Sequence, residues 1–183
     1  AGLQVQAGFI VGFDNDTPSI FQRQIDFIQK TGIVTAMVGL LQAPTGTRLY
    51  ERLKKEGRLL GRMTGDNADG STNIIPNNMD ADTCREGYKT ILKHIYSPEN
   101  YYNRIMTLFK EYKSPTIKGT IKFEHIVGLV NSIYHLGIFG KERVQFWRLL
   151  LWTSLHRRDL FPLAVTLAVY GYHFRRVSEL HVL

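Results

Sequence analysis

Two glycine-containing apolar segments hold the residues whose types and spacing could bind a ligand. The first reads GFIVGFD from residue 8, and the second reads GLLQAPTGT from residue 39. Glycine has no Cβ, so a ligand or another backbone can approach its main chain closely. The spacing alone is equally consistent with glycines that only allow the chain to turn and bind no ligand, because G-x-x-x-G is a weak pattern. The candidate ligand-binding residues are Gly8, Ile10, Gly12, Leu40, Leu41 and Gln42.

Cysteine and histidine residues give little indication of a disulfide or a metal site in this chain. A single cysteine, Cys84, excludes a disulfide framework and a thiolate metal cage within the 183 residues. Its position at the start of a predicted helix would allow a depressed pKa, although an incidental thiol is the favoured interpretation. No two histidines have the i,i+4 spacing of a helical metal site, so no metal is expected. The histidines are His94, His125, His135, His156, His173 and His181.

Basic residues give the chain a formal net charge of +7 and a pI of about 9.6. Such a charge permits nucleic acid, an acidic partner or an anionic membrane, and selects none of them. Two pairs, Arg157 with Arg158 and Arg175 with Arg176, lie near aromatic residues at the ends of helical segments. We favour solvated or dipole-capping roles for them, with an anionic partner as the alternative.

Four alternating elements must position the candidate binding residues. The run at 5–12 predicts a strand covered on both faces, because it is apolar with little polar alternation. A helix beginning near Pro18 and ending at Gly32 follows, then a strand at 36–41 and a helix at 47–56. The order β-α-β-α with short loops indicates parallel packing, in which ligands meet the carboxyl ends of the strands.

Beyond residue 60 the pattern changes. Residues 61–81 are rich in Gly, Asn, Asp and Thr and predict a long loop, whereas 82–183 predict a helical domain. The domain boundaries expected are therefore 1–60, 61–81 and 82–183. The helical stripes supply these inward-facing candidates: Tyr88, Ile91, Phe109, Ile126, Val130, Trp147, Leu151, Leu163 and Leu167.

The longest apolar run, residues 160–174, is too short to span a membrane, which takes roughly 20 apolar residues. A buried core helix is the favoured interpretation. The alternative is an interfacial helix anchored by Arg175 and Arg176. The composition, 44% hydrophobic and 21% charged, is that of a globular chain and excludes wholesale disorder. No secretory signal is visible, and the initial Ala1 leads us to expect a portion of a longer protein.

The two glycine segments and the helical stretches resemble a known family. GFIVGFDNDT, a helix and AMVGLLQAPTGTRLYERLKKEGRL are similar to the last two βα units of a radical-SAM barrel, above all in cobalamin-binding radical-SAM proteins. GYKTILKHIYSPENYYNRI, FWRLLLWTSLHRR and LFPLAVTLAVYGYHFRRV resemble the helical domain of unknown function that follows that barrel. The implied fold class is α/β followed by all-α: two units of a partial TIM-type barrel, then a C-terminal helical bundle.

The resemblance also assigns roles to the candidate binding residues. In that family a G-x-I-x-G-x-x-E-like motif on the fifth strand lies beside the adenine of S-adenosylmethionine. Gly8, Ile10 and Gly12 match this motif, while its acidic position falls on Asn15. Residues 40–42 fall on the sixth strand, which gives backbone contacts to the adenine.

The resemblance implies S-adenosylmethionine, a [4Fe–4S] cluster and cobalamin as cofactors of a longer parent enzyme. The family holds its cluster with CxxxCxxC, and Cys84 alone cannot supply three thiolates. We therefore expect no cofactor on this chain alone, which would be an inactive fragment that supplies part of the S-adenosylmethionine pocket and a helical domain facing substrate or partner. Expected partners are the N-terminal domains of the same polypeptide, an unidentified substrate and, through open sheet edges, other copies.

The alternative function from another class is a basic helical interaction module. It would bind nucleic acid, the less favoured partner, or an anionic membrane surface. The expected localisation is cytoplasmic, with peripheral membrane contact left open.

Overall fold

A computed structural model describes residues 3–63, 65, 70–114 and 123–183. Within these ranges the chain is mixed α/β and mostly helical, with a small parallel sheet. The elements are β1 Gln6–Val11, α1 Ser19–Thr31, β2 Thr35–Leu40, α2 Arg48–Lys55, α3 Ala81–Ile95, α4 Pro98–Glu111, α5 Phe123–Ser132, a π-helical segment Ile133–Ile138, α6 Arg143–His156, a 3-10 turn Arg158–Leu160 and α7 Phe161–His181. Pro115 and Gly119, whose residue types predict a break in the helical pattern, lie outside the described residues.

The predicted β-α-β-α order is confirmed, with shifts of one or two residues at the ends. Gly32 ends α1 and Gly57 follows α2, and both adopt a left-handed φ, of 68° and 69°. The Thr47 hydroxyl accepts a hydrogen bond from the Tyr50 backbone N–H and so caps α2. The sheet contains two strands among the described residues, so the complete barrel stays a proposal.

The strands β1 and β2 are parallel, with Gly8 opposite Met37 and Ile10 opposite Gly39. The expectation that β1 is covered on both faces is wrong. Ile10 and Met37 are exposed, because no described element packs on this face, which we call the open face. The opposite face is covered, since α3 packs against β2 and Val38 is buried.

The chain separates into two compact units. The sheet unit comprises Gln6–Ile28, Thr35–Ile95 and Val177–Leu183. The helical unit comprises Gln29–Val34 and Tyr96–Arg176, together with the N-terminal residues up to Val5. These units are spatial groupings, and the sequence-based boundaries near residues 60 and 82 stay a prediction.

Aromatic and aliphatic side chains of α4, α6 and α7 fill the core of the helical unit. Arg104 of α4 is fully buried in it. Its Nη1 donates to Gln29 Oε1 at 2.6 Å, and its guanidinium lies 5.3 Å from the centre of the Tyr101 ring. The buried apolar members are Tyr101, Tyr102, Ile105, Phe109, Phe146, Leu149, Leu150, Leu160, Ala164, Leu167 and Ala168.

Several predicted core residues face outward instead. The prediction is wrong for Ile126 and Val130 of α5, and for Trp147 and Leu151 of α6, all of which are exposed. In α6 the buried side is formed by Phe146, Leu149, Leu150 and Thr153. The helix is apolar on both sides, so its spacing could not indicate which side faces the core.

The basic pairs near the helix ends are partly structural. Arg175 is buried, and its Nη2 lies 2.7 Å from Glu142 Oε2, so it is neither solvated nor a membrane anchor. Arg157 donates to the backbone oxygens of Phe109 and Tyr112 and pairs with Asp159. It thereby binds carbonyl groups at the end of α4, which a solvated side chain would not do.

Candidate functional site

The carboxyl ends of β1 and β2 form one continuous edge in the sheet unit. The Leu41 N–H donates to the Val11 carbonyl at 2.8 Å, which extends the pairing one residue beyond the strands. Because side chains alternate along a strand, Gly8 and Ile10 share one face of β1. The left-handed φ of Gly12 ends this alternation, and Gly12 is buried beside Cys84 of α3. Two of the six candidate binding residues, Gly8 and Ile10, therefore lie on the open face.

Leu40 and Gln42 also lie away from the open face. Leu40 is buried on the covered face. Gln42 is also buried, and its side-chain amide donates to the Ser71 carbonyl at 3.2 Å. The structure thus brings together Gly8 and Ile10 on the open face, and places Leu40 and the Gln42 side chain away from them.

Gly8 and Gly12 have different surroundings. A Cβ on Gly8 would have nothing within 4 Å, so this part of the open face is clear of other chain atoms. Gly12 adopts a φ of 103°, a conformation that favours glycine. The Asp16 carboxylate accepts hydrogen bonds from the Gly12 and Phe13 backbone N–H groups, both at 2.9 Å, and so fixes the turn after β1.

The segment after β2 is held in place by hydrogen bonds to residues 72 and 73, which belong to the stretch predicted from the sequence to be a loop. Asn73 accepts from the Ala43 N–H at 2.8 Å and donates back to the Ala43 carbonyl at 2.9 Å. The Thr72 hydroxyl donates to the Leu41 carbonyl at 2.7 Å. Both backbone groups of Leu41 are therefore bonded within the chain, and its half-buried side chain packs against the cluster of Ala43, Leu53 and Ile74.

A cavity of about 260 Å³ opens beside this edge. Asp14 lies in its wall and forms ion pairs with Arg52 at 2.6 Å and with Arg58 at 2.7 Å. The hydrogen bond from Arg58, and then the one from Arg52, lower the pKa of Asp14, so the carboxylate is ionised at neutral pH. The lining residues are Phe13, Asp14, Asn15, Leu41, Leu49, Arg52, Leu53 and Ile74.

Sequence analysis did not find the two arginines of this cluster. Arg52 lies on α2, and Arg58 follows it on the strand-like stretch that pairs with Ile74 and Ile75. Their proximity to Asp14 depends on α2 folding back over the end of β1, which spacing alone does not show. The only available signal was the basic run RLYERLKKEGR after the second glycine segment.

Cys84 lies on α3 behind the turn at Gly12, where a Cβ on Gly12 would be 3.4 Å from its Sγ. Burial raises the pKa of the Cys84 thiol to about 11, and the Asp16 carboxylate adds to the shift. The alternative of a depressed pKa is therefore wrong. The helix start that suggested it lies in an apolar environment that disfavours the thiolate.

We expect native Cys84 to react with iodoacetamide at pH 8 at least a hundredfold more slowly than in the urea-unfolded chain. The thiolate is the nucleophile, and a pKa raised by about two units leaves about one hundredth of the ordinary thiolate at that pH. The reaction can be followed by mass spectrometry, and the single cysteine makes the signal unambiguous. Similar rates in the two states would show that the thiol is exposed.

Metal ligation has no support among residues 3–63, 65, 70–114 and 123–183. They contain no group of three or more His, Cys, Asp or Glu side chains arranged to hold an ion. The same ranges contain no helix long and apolar enough to cross a membrane.

Comparison with known proteins identifies the family. Residues 47–182 match the model described as Domain of unknown function (DUF4070). The chain belongs to the DUF4070 family. This confirms the resemblance of the helical part to a domain of unknown function, while the radical-SAM part of that resemblance stays a proposal.

Two curated relatives extend the comparison beyond the DUF4070 region. The "Uncharacterized methyltransferase sll1242" of Synechocystis sp. (strain ATCC 27184 / PCC 6803 / Kazusa) is 31% identical over 98% of this chain and 34% of its own length. The "Hopanoid C-2 methylase" of Rhodopseudomonas palustris (strain TIE-1) is 29% identical over 92% of this chain and 32% of its own length. The chain thus spans about a third of each relative. No solved structure shows a significant match to it.

Proposed function

We propose that this DUF4070 chain corresponds to a portion of a cobalamin-dependent radical-SAM methyltransferase and contributes one wall of its S-adenosylmethionine pocket. The observation that carries the proposal is the similarity, over 98% of the chain, to a protein named as a methyltransferase. A second relative named as a methylase supports the same reaction class. The interaction-module alternative is not favoured by these names.

The open face has the chemistry that an adenine ring requires. Ile10 presents exposed aliphatic surface, and the clear space over Gly8 would admit a flat ring against the backbone. When bound, S-adenosylmethionine supplies the methyl group or the radical used by such enzymes. In this proposal the chain binds the adenine. The Asp16 carboxylate, which accepts hydrogen bonds from the turn after β1, fixes the conformation of the backbone next to that surface.

The residues of this chain do not fit an iron–sulfur cluster. Its single cysteine is buried, with a pKa raised to about 11, and three thiolates are needed. We propose that the cluster and the cobalamin are held by other parts of a longer protein, and that the helical unit faces the substrate or another partner.

The first test is the coding sequence upstream of this chain. A CxxxCxxC motif there, followed by further alternating strands and helices, is the expected result. A coding sequence that begins immediately before Ala1, with no such motif, would contradict the proposal.

The second test fills the open face. In the longer protein, we expect Gly8→Val to weaken S-adenosylmethionine binding at least tenfold, because the added methyl groups would occupy the space proposed for the adenine. The substitution should leave folding intact, since a Cβ at Gly8 would meet nothing within 4 Å. Binding would be measured by isothermal titration, with unfolding followed in parallel.

The matched control is Gly128→Ala in α5, another glycine with nothing within 4 Å of a Cβ. Its affinity for S-adenosylmethionine should equal that of the unmodified protein. Unchanged affinity in the Gly8→Val protein would remove the open face from the pocket.

A further inference from the structure

The outward side of α6 carries a continuous apolar stripe. Val144, Trp147, Leu151 and Leu155 recur every three or four residues, so they lie on one side of the helix. Their exposed fractions are 68%, 40%, 59% and 73%. We call these four residues the outer stripe. Since exposed apolar residues normally occur singly, a row of four along about 17 Å of helix indicates a contact surface.

The apolar surface continues onto the π-helical segment. The Trp147 indole N–H donates to the Gly137 carbonyl at 3.0 Å, which fixes the ring against that segment. Tyr134 and Phe139 are both exposed, with ring centres 4.9 Å apart. Meanwhile Phe146, Leu149 and Leu150 occupy the core side of α6, so the outer stripe can be covered without any unfolding.

The exposed charges along this helix have one sign. Arg143 and Arg148 are exposed and make no ion pair with any described residue. Between residues 141 and 158 the sequence has one acidic residue, Glu142, which is buried and paired with Arg175. The charged residues exposed there are therefore cations, and they flank the apolar stripe.

We propose that the outer stripe of α6 docks on an anionic lipid surface. Apolar side chains flanked by arginine, with tryptophan at the boundary, are what interfacial helices place between acyl chains and headgroups. Acidic headgroups complement the cations. A second copy of the chain would add the same cations around the covered stripe, and like charges brought together at an interface cost energy. Nucleic acid would meet the cations but leave the leucines without a partner.

The helix would lie in the plane of the membrane rather than cross it. No described helix is long and apolar enough to span a bilayer. Insertion to about 5–10 Å would submerge the outer stripe while the opposite side of α6 stays packed in the helical unit. The two sequence-based anchor candidates are Arg175 and Arg176. Because Arg175 is buried, we assign the anchoring to Arg143 and Arg148 instead. This assignment does not depend on the proposed methyltransferase function.

The two tryptophans of the chain, Trp147 and Trp152, both lie on α6 and supply the readout. The full 183-residue chain would be mixed with vesicles of 70% phosphatidylcholine and 30% phosphatidylglycerol, and with pure phosphatidylcholine vesicles. The expected result is a blue shift of tryptophan emission, quenching by brominated acyl chains, and sedimentation with the anionic vesicles. Binding should weaken at 1 M salt, where the Debye length falls to about 3 Å.

Two double variants separate the electrostatic and apolar contributions. Arg143→Gln with Arg148→Gln should weaken vesicle binding roughly 30-fold, at about fivefold for each cation near the surface. Leu151→Ser with Leu155→Ser should weaken it at least tenfold, because two exposed leucines no longer insert. Far-UV circular dichroism would confirm that both variants remain folded.

Matched controls change the same residue types elsewhere. Arg23→Gln with Arg62→Gln lowers the net charge by the same two units, and Leu3→Ser with Leu180→Ser removes two exposed leucines. Both controls should bind vesicles as the unmodified chain does. Absence of binding to the anionic vesicles at low salt, or equal losses in variants and controls, would overturn the proposal. So would a dimer that the Leu151/Leu155 variant dissociates, which would assign the outer stripe to a second copy.

Discussion

Replacing Gly171 by alanine is expected to lower the free energy of unfolding by about 3 kcal/mol, because the site has no room for a methyl group. An added Cβ would overlap Cε1 of Tyr101, and it would also be too close to two other atoms of that ring. Tyr101 cannot easily move, since its hydroxyl donates to the Leu167 carbonyl at 2.8 Å and Arg104 lies over its ring. Urea unfolding followed by circular dichroism would measure the change.

Replacing Gly128 by alanine should instead raise the free energy of unfolding. That glycine is also helical, but nothing lies within 4 Å of its added Cβ, so alanine should stabilise the chain by about 0.5–1 kcal/mol through helix propensity. Comparing the two variants separates the effect of packing from that of the backbone. Equal effects of the two substitutions would contradict the close approach of α7 to Tyr101.

Local signals were sufficient to predict the elements that position the candidate site. Thr47 has a hydroxyl that can cap a helix, and Gly32 accepts the left-handed conformation in which helices end. These properties belong to single residues and their neighbours. For that reason the alternation of strands and helices was predicted correctly to within a few residues.

The sequence could not show which side of α6 is exposed, and the reason is physical. Phe146 and Trp147 are adjacent and both apolar, so either could begin a core-facing stripe. In the structure the Phe146 ring is fully buried in the core, whereas Trp147 is exposed. A spacing pattern shows which residues share a side of the helix, and it does not show which of two apolar sides is covered.

Polar contacts between distant positions were also absent from the prediction. Asn73 bonds both backbone groups of Ala43 across 30 residues, and neither residue carries a motif. For the candidate site, strand alternation is enough to place Gly8 and Ile10 on one face, whereas the left-handed φ of Gly12 takes it out of that pattern. The separation of Leu40 from that face follows from the register of β1 and β2, which the sequence does not specify.

The buried ion pair of Glu142 and Arg175 supports a second prediction of large effect. Glu142→Gln or Arg175→Met should each lower the free energy of unfolding by about 3–5 kcal/mol, because either change leaves one charge buried without its partner. The two side chains are 3% and 11% exposed, and their nearest atoms are 2.7 Å apart. Urea unfolding at neutral pH would measure both losses.

The double variant Glu142→Met with Arg175→Met should be far less damaging than either single change, with a loss of about 1 kcal/mol or none. Desolvating two charges costs nearly as much as their attraction returns, so an apolar pair of similar size can replace them. The exposed pair of Arg157 and Asp159 provides the control, because Asp159→Asn should cost about 0–1 kcal/mol. Additive losses in the double variant would mean that Glu142 and Arg175 are each stabilised by water rather than by one another.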